Sequence, residues 1–563
     1  MTLQLSPHTM KTFHILFTFF AALLALFGCN NSSHTTSSGE ILLHHANFVR
    51  LDNGPKIEAV LLRGDTIAAL YYEGDHLPQA DQIINLNGAW VYPGWIDAHT
   101  HFLAYAKGLQ EVNLVGTTSW DEVLQRLMQF ASAHPEGELV GRGWDQNDWP
   151  ESAFPTRSDL DSLFPERLVY LSRVDGHAVL VNGAVLQTHG LKAPHVVEGG
   201  EIIHEDGWLT GVLIDAAMDL APVPKWSRNR LVNALLDAEK HLLEVGLTGI
   251  AEAGLTGDEI ALLDSLYEQE ALQLRTYAMI SLQDTLAVRD ALARGPLVHP
   301  HFQVRSVKCY SDGALGSRGA CLFEPYNDRA HHHGALLYDS ITLHRWANEI
   351  YNAGFQLNTH AIGDSANAVI LQIYNQVLPA TADARWRIEH AQIVREEDRA
   401  YFDAHRILPS VQPTHATSDA PWAEKRLGSE RMHRAYAYQS LLRESGRIPL
   451  GTDFPVEGID PLATFRSAVY RVNEIGQPSG GFLPNEALTP EQTLLGMTEN
   501  AAFAQFEEHK KGAIEVGKYA DFTILDRDLR AASLDDLSHT RVLATWIAGK
   551  QVYNALELAN SEH

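Results

Sequence analysis

Residues 90–102 read Trp90-Val91-Tyr92-Pro93-Gly94-Trp95-Ile96-Asp97-Ala98-His99-Thr100-His101-Phe102. The apolar, aromatic-rich run from Trp90 to Ile96 is read as a β-strand, and it stops in His-x-His. In an extended chain, residues two apart point to the same face, so His99 and His101 can reach one ion together. Taken alone the pair is common and usually uninformative. The strand and the Pro-Gly turn before it give it weight.

Outward from this point, strand-like and helix-like segments alternate, which is the pattern of βα units. The candidate strands are Gly246–Ala253, Leu274–Ile280, Gln303–Tyr310, Phe355–His360, Trp386–His390, Ile407–Gln412 and Ile448–Thr452. Helical stretches lie between them, such as Arg230–Val245. Another helix starts at Thr489, where Pro490 suits the first helical position and Gln492 completes a capping box. With Trp90–Ile96 the strands number eight. The expectation is an α/β fold, a (β/α)8 TIM barrel whose chemistry sits at the C-terminal ends of its strands. The span from about 117 to 240 is too long for one connection and is read as an inserted lobe.

The two ends of the chain have a different texture. Short strands separated by Gly and Asp turns fill residues 41–92, and Tyr519–Leu525 and Val542–Ile547 read the same way. We expect a small β-sandwich domain formed by both ends, 41–92 with 506–563, beside a barrel domain over 93–505.

A chain of 563 residues is long enough for both. Its net charge of -27, from 70 acidic against 43 basic residues, repels phosphate backbones and argues against a nucleic-acid partner. Three cysteines, Cys29, Cys309 and Cys321, make neither a disulfide framework nor a cysteine zinc site. Cys309 and Cys321 are read as reduced thiols, with a bridge between them left open.

Cys29 stands apart. Lys11 precedes an apolar run from Phe13 to Phe27, broken only by His14 and Thr18, and the run ends in Leu26-Phe27-Gly28-Cys29. A positive charge, a short apolar stretch and then small residues make a secretory signal, too short for a comfortable span of about 20 residues. Its end resembles a bacterial lipobox, which implies cleavage before Cys29 and lipid attachment there. Residues 1–29 are then a lipoprotein signal peptide, and the polar stretch over 30–40 is a tether. The protein would be lipid-anchored to a membrane of a bacterial cell envelope, with its catalytic domain outside the cytoplasm. The alternatives are an uncleaved anchor helix, or an ordinary signal with an incidental cysteine.

Pro93 to Phe102 resembles the opening motif of the amidohydrolase superfamily, and Lys511-Gly512-Ala513-Ile514-Glu515-Val516-Gly517-Lys518-Tyr519-Ala520-Asp521 is similar to that superfamily's C-terminal β-domain signature. Four further motifs resemble its amidohydrolase-3, or N-substituted-formamide-deformylase-like, branch. They are Gly141-Arg142-Gly143-Trp144-Asp145-Gln146, Arg173-Val174-Asp175-Gly176-His177-Ala178, Asp312-Gly313-Ala314-Leu315-Gly316-Ser317-Arg318 and His360-Ala361-Ile362-Gly363-Asp364. The likeness covers nearly all of the chain after the signal.

The resemblance implies a metal site made of His99, His101, Lys308, His360, His390 and Asp453. The residue reading agrees, since His360, His390 and Asp453 each end a candidate strand. A lone strand-end histidine is usually structural, but four histidines and an aspartate at the strand ends of one barrel are hard to explain that way. A strand lysine by itself is usually a snorkelling surface residue. In many two-metal relatives the fourth-strand lysine is carboxylated and bridges the ions, which is the reading carried for Lys308. The alternative is an uncarboxylated lysine beside a single zinc. Alternation turns Cys309 to the opposite face, toward packing. His177 and Arg318 are carried as substrate-binding candidates, against a purely structural role. His415 is expected to line the pocket without being a ligand.

These residues imply a divalent metal, zinc by expectation, as one or two ions. The metal lowers the pKa of water toward about 7. Asp453 would accept the proton as general base and return it to a leaving nitrogen as acid. The expected activity is hydrolysis of a non-peptide carbon–nitrogen bond in a small-molecule amide, formamide or cyclic amide. The rivals are a single-metal deaminase and a catalytically dead, lipid-anchored binding protein. The sequence names neither the substrate nor the oligomeric state. The lipobox reading predicts that Cys29→Ala releases the protein from the membrane or blocks its processing. Fractionation and intact-mass analysis check this, and a wholly soluble wild type without lipid mass would overturn it.

Overall fold

The computed structural model describes residues 39–52, 54–174 and 176–555; the signal segment with Cys29 and most of the tether lie outside them. The described residues form a barrel flanked by two other β units. The barrel strands are β1 (Trp95–Thr100), β2 (Leu247–Leu255), β3 (Arg275–Ser281), β4 (Phe302–Tyr310), β5 (Gln356–Ala361), β6 (Trp386–His390) and β7 (Ile407–Ser410). They pair in that order and all run parallel. β3 and β6 are buried along their whole length, as expected of strands covered on both faces.

The eighth position is filled differently from expectation. Ile448–Thr452 is not a regular strand. Pro449 has no N–H to give to a ladder, and the chain crosses the gap on single hydrogen bonds. The N–H of Gly451 donates to Val411 O at 3.0 Å, Ala98 N–H to Leu450 O at 3.0 Å, and Asp453 N–H to His99 O at 2.8 Å. The seam is tightened by the Asp97 carboxylate, which accepts the Thr452 hydroxyl at 2.7 Å, the Thr452 N–H at 3.0 Å and the His99 N–H at 3.1 Å.

The first strand is also corrected. Trp90–Pro93 belongs to another sheet, where it pairs antiparallel with Phe522–Leu525, and the barrel strand begins after Gly94, at Trp95. That other sheet runs Asn47–Phe48, Trp90–Pro93, Phe522–Leu525, Val542–Ile547, Lys550–Asn554. A second sheet holds Glu40–His44, Ile57–Arg63, Thr66–Tyr72 and Gln82–Asn85. Leu43, Val60 and Leu62 pack with Val91, Phe522, Ile524 and Trp546 between the two, so both parts of the chain share one sandwich core. A buried ion pair ties it to the barrel: Arg275 Nε donates to Asp521 Oδ2 at 2.6 Å and Nη2 to Oδ1 at 3.0 Å.

The segment after β1 folds as a six-stranded sheet between Val112 and Asp215, with cores of its own. Helix Arg228–Glu244, capped by Ser227, lays Ala234, Leu235, Ala238 and Leu242 into the barrel core and leads into β2. The capping box at Thr489 and Gln492 forms as read. Cys309 and Cys321 are free, and Cys309 lies in the barrel core.

Gly451 is required by the seam. A Cβ there would lie 2.5 Å from His99 N and 2.7 Å from Asp97 Oδ1. Overpacking of this kind costs about 1–3 kcal/mol, so Gly451→Ala should lower stability by that amount in denaturant unfolding. Gly458→Ala, which meets nothing within 4 Å, should leave stability unchanged.

Candidate metal centre

β1 presents Asp97 and His99 to the barrel interior, and His101 follows its last residue, its N–H donating to Phe454 O at 2.8 Å as helix Phe102–Leu109 begins. His99 is fully buried. Its Nδ1 lies 2.5 Å from Glu389 Oε2, and its Nε2 lies 3.0 Å from Lys308 Nζ and 3.5 Å from Asp453 Oδ1. His101 Nε2 is 3.1 Å from the same Asp453 oxygen. Lys308, on β4, is buried with its amine 4.8 Å from the centre of the Tyr310 ring. His360 is on β5, and its ring centre is 4.6 Å from that of His390. His390 ends β6, donates its Nδ1–H to Gln412 Oε1 at 2.7 Å, and stacks on His415 at 5.7 Å.

Two of these residues have left-handed backbone, His390 with φ 74° and Asp453 with φ 64°. Such strain in non-glycine residues costs about 1–3 kcal/mol and clusters at functional sites. Here it turns each side chain off the strand direction and into the mouth of the barrel.

The donor set suits a divalent ion. Burial, and after it the Lys308 charge, pushes His99 down to about 4 and His360 down to about 3. Burial also drives His390 well below its ordinary value. Burial alone would raise Asp453, yet the close approach of the His99 and His101 imidazoles holds it well below the usual carboxylate range. Neutral imidazoles and an anionic carboxylate are the forms that bind metal. His99, His390 and Asp453 each offer a ligand atom, all within 4.8 Å of one another. Ligands about 2.0–2.1 Å from a tetrahedral ion sit roughly 3.3 Å apart, which matches Asp453 Oδ1 to His101 and His99 Nε2 at 3.1 and 3.5 Å. That carboxylate oxygen is buried and has no well-aligned hydrogen-bond donor.

All six expected ligands therefore gather at one barrel end. His177 and Arg318 are each held in an ion pair. His177 is on the inserted lobe, 75% exposed, with Nδ1 2.8 Å from Asp215 Oδ1. The Arg318 guanidinium is engaged by Asp328 at 2.8 and 3.0 Å. Sequence reasoning missed Glu389, Arg387, Asp97, Gln412 and Asp312. Strand alternation sends Glu389 to the face opposite His390, but the positive φ at His390 breaks the alternation. Asp312 is buried, accepts the N–H groups of Cys321, Ile362 and Gly363, and lies 3.5 Å from His360 Nε2.

This is the mouth of a metal-dependent hydrolase barrel acting on carbon–nitrogen bonds. The chain belongs to the Amidohydro_3 amidohydrolase family, whose model matches residues 82–553. It is 34% identical over 491 residues to the Protein LONG AFTER FAR-RED 3 of Arabidopsis thaliana, covering 84% of this chain and 83% of that one. It is 31% identical over 527 residues to the putative amidohydrolase YtcJ of Bacillus subtilis (strain 168), covering 90% and 98%. The crystal structure of a metal-dependent hydrolase from Pyrococcus horikoshii OT3 shares the fold at TM-score 0.73 and 23% identity, covering 88% of this chain and 99% of that one.

A divalent ion at a hundred times its dissociation constant stabilises a protein by about 2.7 kcal/mol. Added metal should raise the unfolding midpoint of the chelator-treated wild type, and His99→Ala should abolish the rise.

Proposed function

We propose that the protein hydrolyses a small amide, formamide or cyclic amide, with Asp453 as general base and then general acid. The observation that carries this is the approach of His99 and His101 Nε2 to Asp453 Oδ1, at 3.5 and 3.1 Å, in a chain of amidohydrolase family. A divalent ion bound there, zinc in our reading, supplies Lewis acidity that polarises a carbonyl and makes water a nucleophile near neutral pH. His99, His101, His360, His390 and Asp453 are the residues that would hold one or two such ions. Lys308 would bridge a pair of ions once carboxylated. Its buried amine, 3.0 Å from His99 Nε2, is the support for that reading.

Asp453 can divide its work between two oxygens. Oδ1 faces His99 and His101, while Oδ2 lies toward His415 Nε2 at 3.6 Å. One oxygen can serve the metal while the other takes the proton of the attacking water. Passing that proton to the leaving nitrogen yields a carboxylate and an amine. His177 and Arg318 remain proposals for substrate contact, each requiring release from its present ion pair.

We further propose attachment to a bacterial envelope membrane through lipid on Cys29, with the barrel outside the cytoplasm; the lipobox-like run is its support. Among the described residues no helix is long and apolar enough to cross a membrane.

Metal content per chain tests the proposal: near two for a bridged pair, near one for a single-ion hydrolase or deaminase, and none for a dead barrel. Lys308→Ala should lose metal if the bridge forms. Asp453→Asn should reduce turnover of a verified substrate about 10²–10⁴-fold, with folding retained and metal assayed beside the rate. A variant that keeps its metal and turns over near the wild-type rate would remove Asp453 from the mechanism.

A further inference from the structure

Below the ligands lies a buried charged relay. Glu389 and Arg387 are two apart on β6, and both side chains are fully buried. Arg387 Nε donates to Glu389 Oε1 at 2.6 Å, and its Nη2 donates to Ala98 O at 2.6 Å, in β1 beside His99. With Oε1 engaged by the guanidinium, Oε2 is left for His99 Nδ1 at 2.5 Å. A carboxylate oxygen can only accept, so the contact requires the proton on Nδ1. The Nε2 lone pair then points the other way, toward Asp453 and Lys308. Isolated buried charges are costly, and this pair sits in a barrel floor where an apolar pair would fill the space.

We propose that Glu389 is a positioning residue: held by Arg387, it fixes the tautomer and ring angle of His99 so that Nε2 faces the ion. This rests on the metal-centre reading above. Gln412 Oε1, at 2.7 Å from His390 Nδ1, sets the other imidazole by a neutral version of the same contact. The difference between carboxylate and amide makes His99 the more basic ligand of the two. Hydrogen-bond partners of this kind are typically worth about 10–100-fold in metal affinity.

The test is the affinity of the chelator-treated enzyme for Zn²⁺, by competition with a chromophoric chelator, together with the visible absorption of the Co²⁺-loaded form. Glu389→Gln should bind Zn²⁺ about 10–100-fold more weakly and show a shifted Co²⁺ spectrum. Glu389→Asp, which keeps the charge, should recover part of the loss. Because Glu389→Gln leaves Arg387 buried without its anion, Arg387→Met/Glu389→Gln is made beside it and should show the same loss of affinity in a folded protein. Unchanged Zn²⁺ affinity and an unchanged Co²⁺ spectrum in either folded variant would overturn the proposal. A wild type that binds no ion would overturn the metal-centre reading itself, and the role of Glu389 with it.

Discussion

The Asp97 carboxylate holds the site together. A parallel barrel is ordinarily closed by a ladder between its first and last strands, but here the donors of the last segment go elsewhere: the Leu450 N–H to Gly496 O and the Thr452 N–H to the Asp97 side chain. Asp97 takes over, binding the Thr452 hydroxyl and N–H on one side of the seam and the His99 N–H on the other. Burial raises its carboxyl to about 7 despite these donors. One side chain thus sets the separation between β1, which carries His99, and the segment that carries Asp453. Gly451 is small because that approach leaves no room for a Cβ.

The rest of the centre is built by the same kind of departure from regularity. His390 and Asp453 stand at the points where strand geometry stops and the backbone turns left-handed. Regular alternation would send neighbouring side chains to opposite faces. The turn lets Glu389 and His390, adjacent in sequence, both serve the site, one from the floor and one from the mouth.

This explains what could be read in advance. The placing of His360, His390 and Asp453 at one end of the barrel was legible because barrel chemistry collects there, and six of the strands fall within two residues of their expected bounds. The start of the first strand was misread because Trp90–Pro93 and Trp95–Thr100 form one apolar run. Only the partner strand Phe522–Leu525, more than 400 residues away, reveals that Gly94 divides two sheets. Asp97, Glu389, Gln412 and Asp312 were hidden for a related reason. Their role lies in hydrogen bonds to residues far along the chain, such as His99 with Glu389 at a separation of 290. His177 and Arg318 carried motif weight, yet each is occupied by a local carboxylate.

The shared sheet of the sandwich has a consequence for biosynthesis. Trp90–Pro93 is continuous with β1 through Gly94, but of its two neighbours in the sheet one, Phe522–Leu525, is translated only after the entire barrel. During vectorial synthesis the nascent chain therefore carries a strand with one edge unpaired directly beside its most buried histidine. Non-local pairing of this sort is slow to form and leaves such an edge open to aggregation in the meantime. The fold thereby ties the finished state of its first ligand strand to the arrival of the C-terminal β-segments, and a chain truncated before Phe522 would lack the partner that anchors β1.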